Sequence, residues 1–117
     1  MDRIHDEAPI DVDELMAIMG DDRELIRDCL IEFSGEYDGM IGDIREAAGK
    51  GDAEALEKAA HALKGSLSYL AAKPAADAAS ELEKAGRGRN LMNLEEKLSL
   101  LEMECGKLWA FLEGFRA

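Results

Sequence analysis

At 117 residues the chain has room for one domain with one core, and a composition that is 47% hydrophobic but only 5% aromatic, with two prolines, favours helices packed through aliphatic side chains. The formal charge of -12 argues against nucleic acid and anionic membranes as partners, because both need a basic surface. Unbroken apolar runs such as Leu108 to Leu112 are far too short to span a bilayer, and the acidic N-terminus has no apolar stretch of the kind a signal peptide needs; a soluble cytoplasmic protein is expected.

Residues 1–8 read as a flexible tail, and residues 9–117 as a single helical domain. His5 stands in that tail among Asp2, Asp6 and Glu7, a setting too poor in ligands to be expected to hold a metal. Pro9 and Asp11 or Asp13 open a short helix with Val12, Leu15 and Met19 as its apolar stripe, flanked by Met16 and Ile18, and Gly20 closes it. Asp21 or Asp22 caps the next helix. Along it Ile26, Cys29, Phe33, Tyr37, Met40, Ile44 and Ala47 recur at steps of three and four, the spacing of one helical face. Gly35, Gly39 and Gly42 interrupt that helix, as kinks or as points of close packing.

Gly49-Lys50-Gly51 forms a turn, and Asp52 caps a third helix that is expected to run to about Ala72, where Lys73-Pro74 stops it. Pro74 suits the first turn of a fourth helix, whose alanines at 75, 76, 78 and 79 allow close approach to a neighbour. Gly86-Arg87-Gly88-Arg89-Asn90 reads as a polar loop. Leu91, Leu94, Leu98, Leu101, Cys105, Leu108, Leu112 and Phe115 then mark the last helix. Cys29 and Cys105 fall inside helical patterns without motif spacing and are expected to be reduced core thiols. Four amphipathic helices joined by short connections predict an all-α, antiparallel up-down four-helix bundle with a short extra N-terminal helix, and a monomer, since the helices can bury one another.

The third helix carries the chemistry. Leu56, Ala60, Leu63, Leu67 and Leu70 form its buried stripe, so His61 points outward on a face shared with Glu57, Lys58, Lys64, Gly65 and Ser68. A glycine inside a helix costs about 1 kcal/mol relative to alanine, which calls for a reason beyond helix stability at Gly65. A solvent-facing imidazole is a nucleophile when neutral, and a lysine one turn away can offset the charge of an anionic group. The sequence contains no glycine-rich phosphate loop, and Lys58-Ala59-Ala60-His61 has lysine where a bundle metal site needs glutamate. If His61 reacts, a partner must supply the rest of the site.

His61-Ala62-Leu63-Lys64-Gly65-Ser66 resembles the signature of histidine phosphotransfer (HPt) domains. The likeness extends to Asp21-Asp22 with Leu25, Leu30 and Phe33, to Gly51-Asp52, and to Leu82-Glu83 followed by Gly86-Arg87. Leu67 stands where the family commonly has serine or alanine, and Ala71 where it commonly has glycine. The resemblance implies a phosphorelay intermediate of two-component signalling without kinase activity of its own. Its partners would be receiver domains of hybrid histidine kinases and response regulators. On this reading His61 is the phosphoacceptor, Lys64 the charge partner of the phosphoryl group, and Gly65 the gap that admits the receiver, with Ser66 as a supporting helix residue. Glu57, Lys58, Ala62 and Ser68 would contact the partner. No cofactor is held by the chain itself, and Mg²⁺ comes with the receiver. The competing reading is a non-catalytic helical adaptor that binds a partner helix.

Overall fold

The structure, a computed structural model, describes residues 10–116; the N-terminal tail and His5 lie outside them. Five helices and no strand are found among the described residues: α1 (Val12–Ile18), α2 (Arg23–Lys50), α3 (Ala53–Tyr69), α4 (Lys73–Arg87) and α5 (Leu94–Arg116). The α2 to α5 helices form the expected four-helix bundle. α3 packs against α2 on one side and most closely against α4 on the other, α5 closes on α4 and more lightly on α2, and α1 lies against α2. No helix among the described residues is long and apolar enough to cross a membrane.

Aspartates start three of the helices. Asp11, Asp22 and Asp52 each have extended backbone, and their carboxylates accept hydrogen bonds from the amides of Glu14, Leu25 and Ala55 at 3.1, 3.0 and 3.1 Å. Ile10, ahead of the first cap, is fully buried, and the amide of Asp11 donates to the carbonyl of Ala71 at 2.9 Å. The first helix is thus tied to the α3–α4 turn.

The first four helices end in one way, through paired hydrogen bonds around a residue of left-handed backbone. After α2, Gly51 (φ 67°) donates to Ala48 and Asp52 donates to Ala47. After α3, Ala71 (φ 58°) donates to Ser68 and Ala72 donates to Leu67. Gly20 (φ 66°) and Arg89 (φ 54°) hold the same position after α1 and α4. This ending corrects the expected boundary of α3. The helix stops at Tyr69 because Ala71 turns left-handed, and Lys73-Pro74 already belongs to α4, with Pro74 in its first turn. Ala71 therefore adopts a conformation that glycine adopts without strain.

Three other expectations are revised. Gly86 and Arg87 are not loop residues but the last turn of α4, and Gly86 is buried. Leu91 precedes α5, which begins at Leu94 after a left-handed Asn93. α2 runs unbroken through Gly35, Gly39 and Gly42, and a Cβ at any of the three would meet nothing within 4 Å among the described residues, so close packing there does not explain them.

The core follows the expected stripe on α3, whereas on α2 Leu30 and Ile41 are buried and the expected Cys29, Tyr37 and Met40 are only partly so. Leu56, Ala60, Leu63 and Leu67 are completely buried on α3, as are Ile26 and Ile44 on α2, and Leu101, Cys105 and Leu108 on α5. Cys29, half-buried, and Cys105, buried, are both free thiols.

Candidate functional site

With its apolar stripe buried against α2 and α4, α3 turns His61 outward, and two-thirds of the side chain (67%) is exposed. The ring is nevertheless anchored. Its Nδ1 lies 2.8 Å from Oε2 of Glu83 on α4, a carboxylate whose side chain is only 4% exposed. Glu83 is the buried charged residue of the described core, and such a charge needs partners to be tolerated. It has three: Lys64 Nζ at 2.6 Å from Oε1, and both His61 Nδ1 and Arg87 Nη2 at 2.8 Å from Oε2. Arg87 also reaches back to α3, where its Nε donates to Glu57 at 3.1 Å.

The hydrogen bond from Lys64 holds the Glu83 carboxyl below its ordinary value of 4.5; burial works in the opposite direction, and the bond from His61 adds to the lowering. An ionised carboxylate can only accept, so the shared proton belongs to Nδ1 of the imidazole. In the neutral ring Nε2 then carries the lone pair. No described protein group hydrogen-bonds that nitrogen. The arrangement presents a fixed, solvent-facing nitrogen nucleophile backed by a buried anion.

The other expected residues fall around this centre. Gly65, one turn after His61, is exposed, and a Cβ there would enter open space. Beside it a groove runs between α2 and α3, lined by Cys29, Glu32, Phe33, Glu36 and Tyr69. The α4 flank of His61 is thus filled with charged side chains while the α2 flank is open. Glu57 belongs to the charged cluster through Arg87. Lys58 is exposed and pairs with Glu54 at 3.4 Å. Ala62 and Ser68 are exposed, and Ala62 lines a second α2–α3 groove together with Lys58 and Ala59. Lys64, expected to face a phosphoryl group, rests on Glu83 and is one-third exposed.

Glu83 and Arg87 do not stand out for this role in the sequence. A signal exists nonetheless: Ala76, Ala79, Glu83 and Gly86 step by three, four and three along the small-residue stripe of α4. An acid at a position where every neighbour is buried is a partner in search of cations.

The Hpt domain family model matches residues 28–111, which is well over half of the chain and includes α3 and α4 entire. The chain belongs to the Hpt domain family. Its function is histidine phosphotransfer within a phosphorelay, as an intermediate and not as a kinase. Family membership displaces the passive adaptor alternative. No curated protein and no solved structure matches the Hpt chain.

Proposed function

We propose that His61 is the residue phosphorylated, through Nε2, and that it exchanges the phosphoryl group with receiver-domain aspartates. The observation that carries this is the bond from His61 Nδ1 to buried Glu83 at 2.8 Å, which leaves Nε2 as the free nucleophile. In the forward step the Nε2 lone pair attacks phosphorus of the receiver's aspartyl phosphate. The Nε2–P bond forms, the P–O bond breaks, and the aspartate carboxylate leaves with the electron pair. The ring gains positive charge and no proton has to move, because Nδ1–H is already held by an anion. The same geometry serves the return step, which is why a relay can run in either direction.

Lys64 has two roles in this scheme. At rest it keeps Glu83 ionised; over the bound phosphoryl group it offsets negative charge from one turn away. The receiver, of a hybrid kinase or a response regulator, approaches from the α2 flank, where Gly65 leaves room beside the groove, and the exposed Lys58, Ala62 and Ser68 meet its rim. It brings Mg²⁺ and the remaining catalytic groups, since phosphoryl transfer depends on positioning and charge neutralisation. The setting is a cytoplasmic monomer. The test is incubation with a phosphorylated receiver: the chain should gain an acid-labile label. His61→Gln should keep its helical circular dichroism and take up none. Label persisting in that variant would place the acceptor elsewhere.

A further inference from the structure

Gly86 is buried in the last turn of α4, three residues after Glu83 and on the same face. A Cβ at this position would lie 2.6 Å from the backbone nitrogen of Glu57, 2.7 Å from the carbonyl oxygen of Ala53 and 3.0 Å from the Cα of Glu57. All three are backbone atoms at the start of α3, so nothing there can swing aside. Glu57 is one turn before His61, as Gly86 is one turn after Glu83. In an antiparallel pair, the Gly86–Glu57 crossing is therefore the rung next to the one that joins Glu83 to His61.

We infer that Gly86 is a positioning residue for the phosphohistidine site: its missing side chain sets the α3–α4 separation at which Glu83 reaches Nδ1 of His61. The inference rests on His61 being the phosphoacceptor. Alanine at this position drives the helices apart by an ångström-scale step, because the atoms its methyl would strike are main chain. Glu83 is already the longest acidic side chain, so it cannot follow, and its 2.8 Å hydrogen bond to the ring is the first to break. Arg87, which follows Gly86 in sequence and bridges Glu83 to Glu57, loses its span in the same movement.

The ring reports the outcome directly. The ¹⁵N shifts of the His61 imidazole, recorded on the unphosphorylated protein at mildly alkaline pH, distinguish the Nδ1–H from the Nε2–H tautomer. The parent protein should show Nδ1–H as the dominant form, and Gly86→Ala should lose that dominance. Transfer from a phosphorylated receiver should fall at least about tenfold, as an ångström of misplacement does to reacting groups. Leu101→Ala, at a fully buried α5 residue that makes none of the polar contacts of the site, supplies a variant destabilised by cavity formation that should keep the parent tautomer. Glu83→Asp shortens the carboxylate's reach by one methylene without a clash and should reproduce the tautomer change, which keeps the question open to test even where Gly86→Ala fails to fold. The proposal is overturned if folded Gly86→Ala retains the Nδ1–H form, if Leu101→Ala loses it equally, or if Glu83→Asp leaves it as in the parent. A parent protein whose His61 takes no label, yet whose ring responds as described, overturns the phosphoacceptor reading and leaves the positioning of the ring by Gly86 standing.

Discussion

On α4, Ala75, Ala76, Ala78, Ala79 and Gly86 are all buried, and at Gly86 α3 comes so near that a single added carbon would strike main chain. The α2–α5 seam is filled instead by rings: Phe33 stacks on Trp109 with centroids 5.7 Å apart, and Tyr37 meets Trp109 edge-on at 5.0 Å. An exposed ion pair, Arg45 with Glu102, ties the same two helices. Large side chains tolerate small shifts, because they re-seat by changing rotamer and sliding. Small ones leave the separation to the backbone. The seam built from small residues is the one that holds a carboxylate at hydrogen-bond distance from the His61 ring. The seam built from rings has only to close the core.

Removing the carboxylate tests this contrast most severely. In Glu83→Ala the helices keep their spacing but Nδ1 loses its acceptor, Lys64 loses its carboxylate and Arg87 keeps only Glu57. A hydrogen bond to a charged group contributes about 1.5–3 kcal/mol. The low end applies to a ring as exposed as His61, which still corresponds to roughly tenfold in tautomer bias. Transfer from a phosphorylated receiver should therefore drop by about tenfold or more, whereas Tyr37→Phe on the other seam should leave it unchanged. Equal losses in the two variants would mean that transfer reports bundle stability and not site geometry.

The open flank comes next. Gly65→Ala should stabilise the fold by something approaching 1 kcal/mol, since the position is helical and a Cβ meets nothing within 4 Å. Gly65→Gln should also fold, yet slow transfer severalfold by standing in the receiver's path. Thermal melts paired with transfer kinetics separate the two effects. A glutamine variant as fast as the parent would remove Gly65 from the docking surface. Gly65 and Gly86 thus make opposite predictions for alanine stability, though both are helical glycines within one turn of the site.

That pair also shows what the sequence could and could not convey. The helix start at Asp52, the neighbourhoods of the starts at Asp11 or Asp13 and at Asp21 or Asp22, the buried leucines of α3 and the outward His61 were legible, because they depend on local caps and on periodicity within one helix. Glu83 was not, since an acid in a charged chain ordinarily belongs to a solvated face, and its burial depends on a second helix. Gly86 sits in a Gly-Arg-Gly-Arg-Asn run whose composition reads as loop; only the approach of α3 gives it a helical role. Gly35, Gly39 and Gly42 suggested a kink or close packing, and the helix runs on through them with no close neighbour among the described residues.

Acid sharpens the comparison further. The groups facing Glu83 are His61 and Lys64 from α3 and Arg87 from its own helix, with Glu57 behind Arg87. Its folded value lies below 4.5, with Lys64 as the main cause. A depressed carboxylate stabilises the fold above its unfolded value, and that stability is lost as pH falls through the folded one. The parent should keep the Glu83 contribution at neutral pH and lose it only as pH falls below 4.5, the group's ordinary value. In Lys64→Met burial is less opposed, so the Glu83 contribution should be smaller and its loss complete at higher pH. Superimposable melting-temperature profiles for the two proteins would show that Lys64 does not govern this ionisation.

The smallest effect concerns how the α3–α4 seam is closed at its two ends. Ala71, in the turn between the helices, and Arg89, just past α4, share a left-handed backbone at φ 58° and 54°. Outside glycine this conformation costs about 1–2 kcal/mol, and the greater freedom of glycine in the unfolded chain takes back roughly 0.5–1 kcal/mol. Arg89 is exposed, so Arg89→Gly should gain about 0.5–1 kcal/mol, a few degrees in melting temperature. Ala71 is buried, and its methyl group contributes up to about 0.8 kcal/mol. Ala71→Gly should consequently change stability by no more than about half a kcal/mol in either direction. Neither variant should alter phosphotransfer, because the hydrogen bonds that close each helix are made by backbone and survive the change. Chemical denaturation of the two variants beside the parent decides the matter. Equal gains would mean that the Ala71 methyl adds nothing to the seam. A loss beyond about 1 kcal/mol in Ala71→Gly would mean that its packing outweighs the strain, and that alanine is held there by the same close fit that holds glycine at position 86.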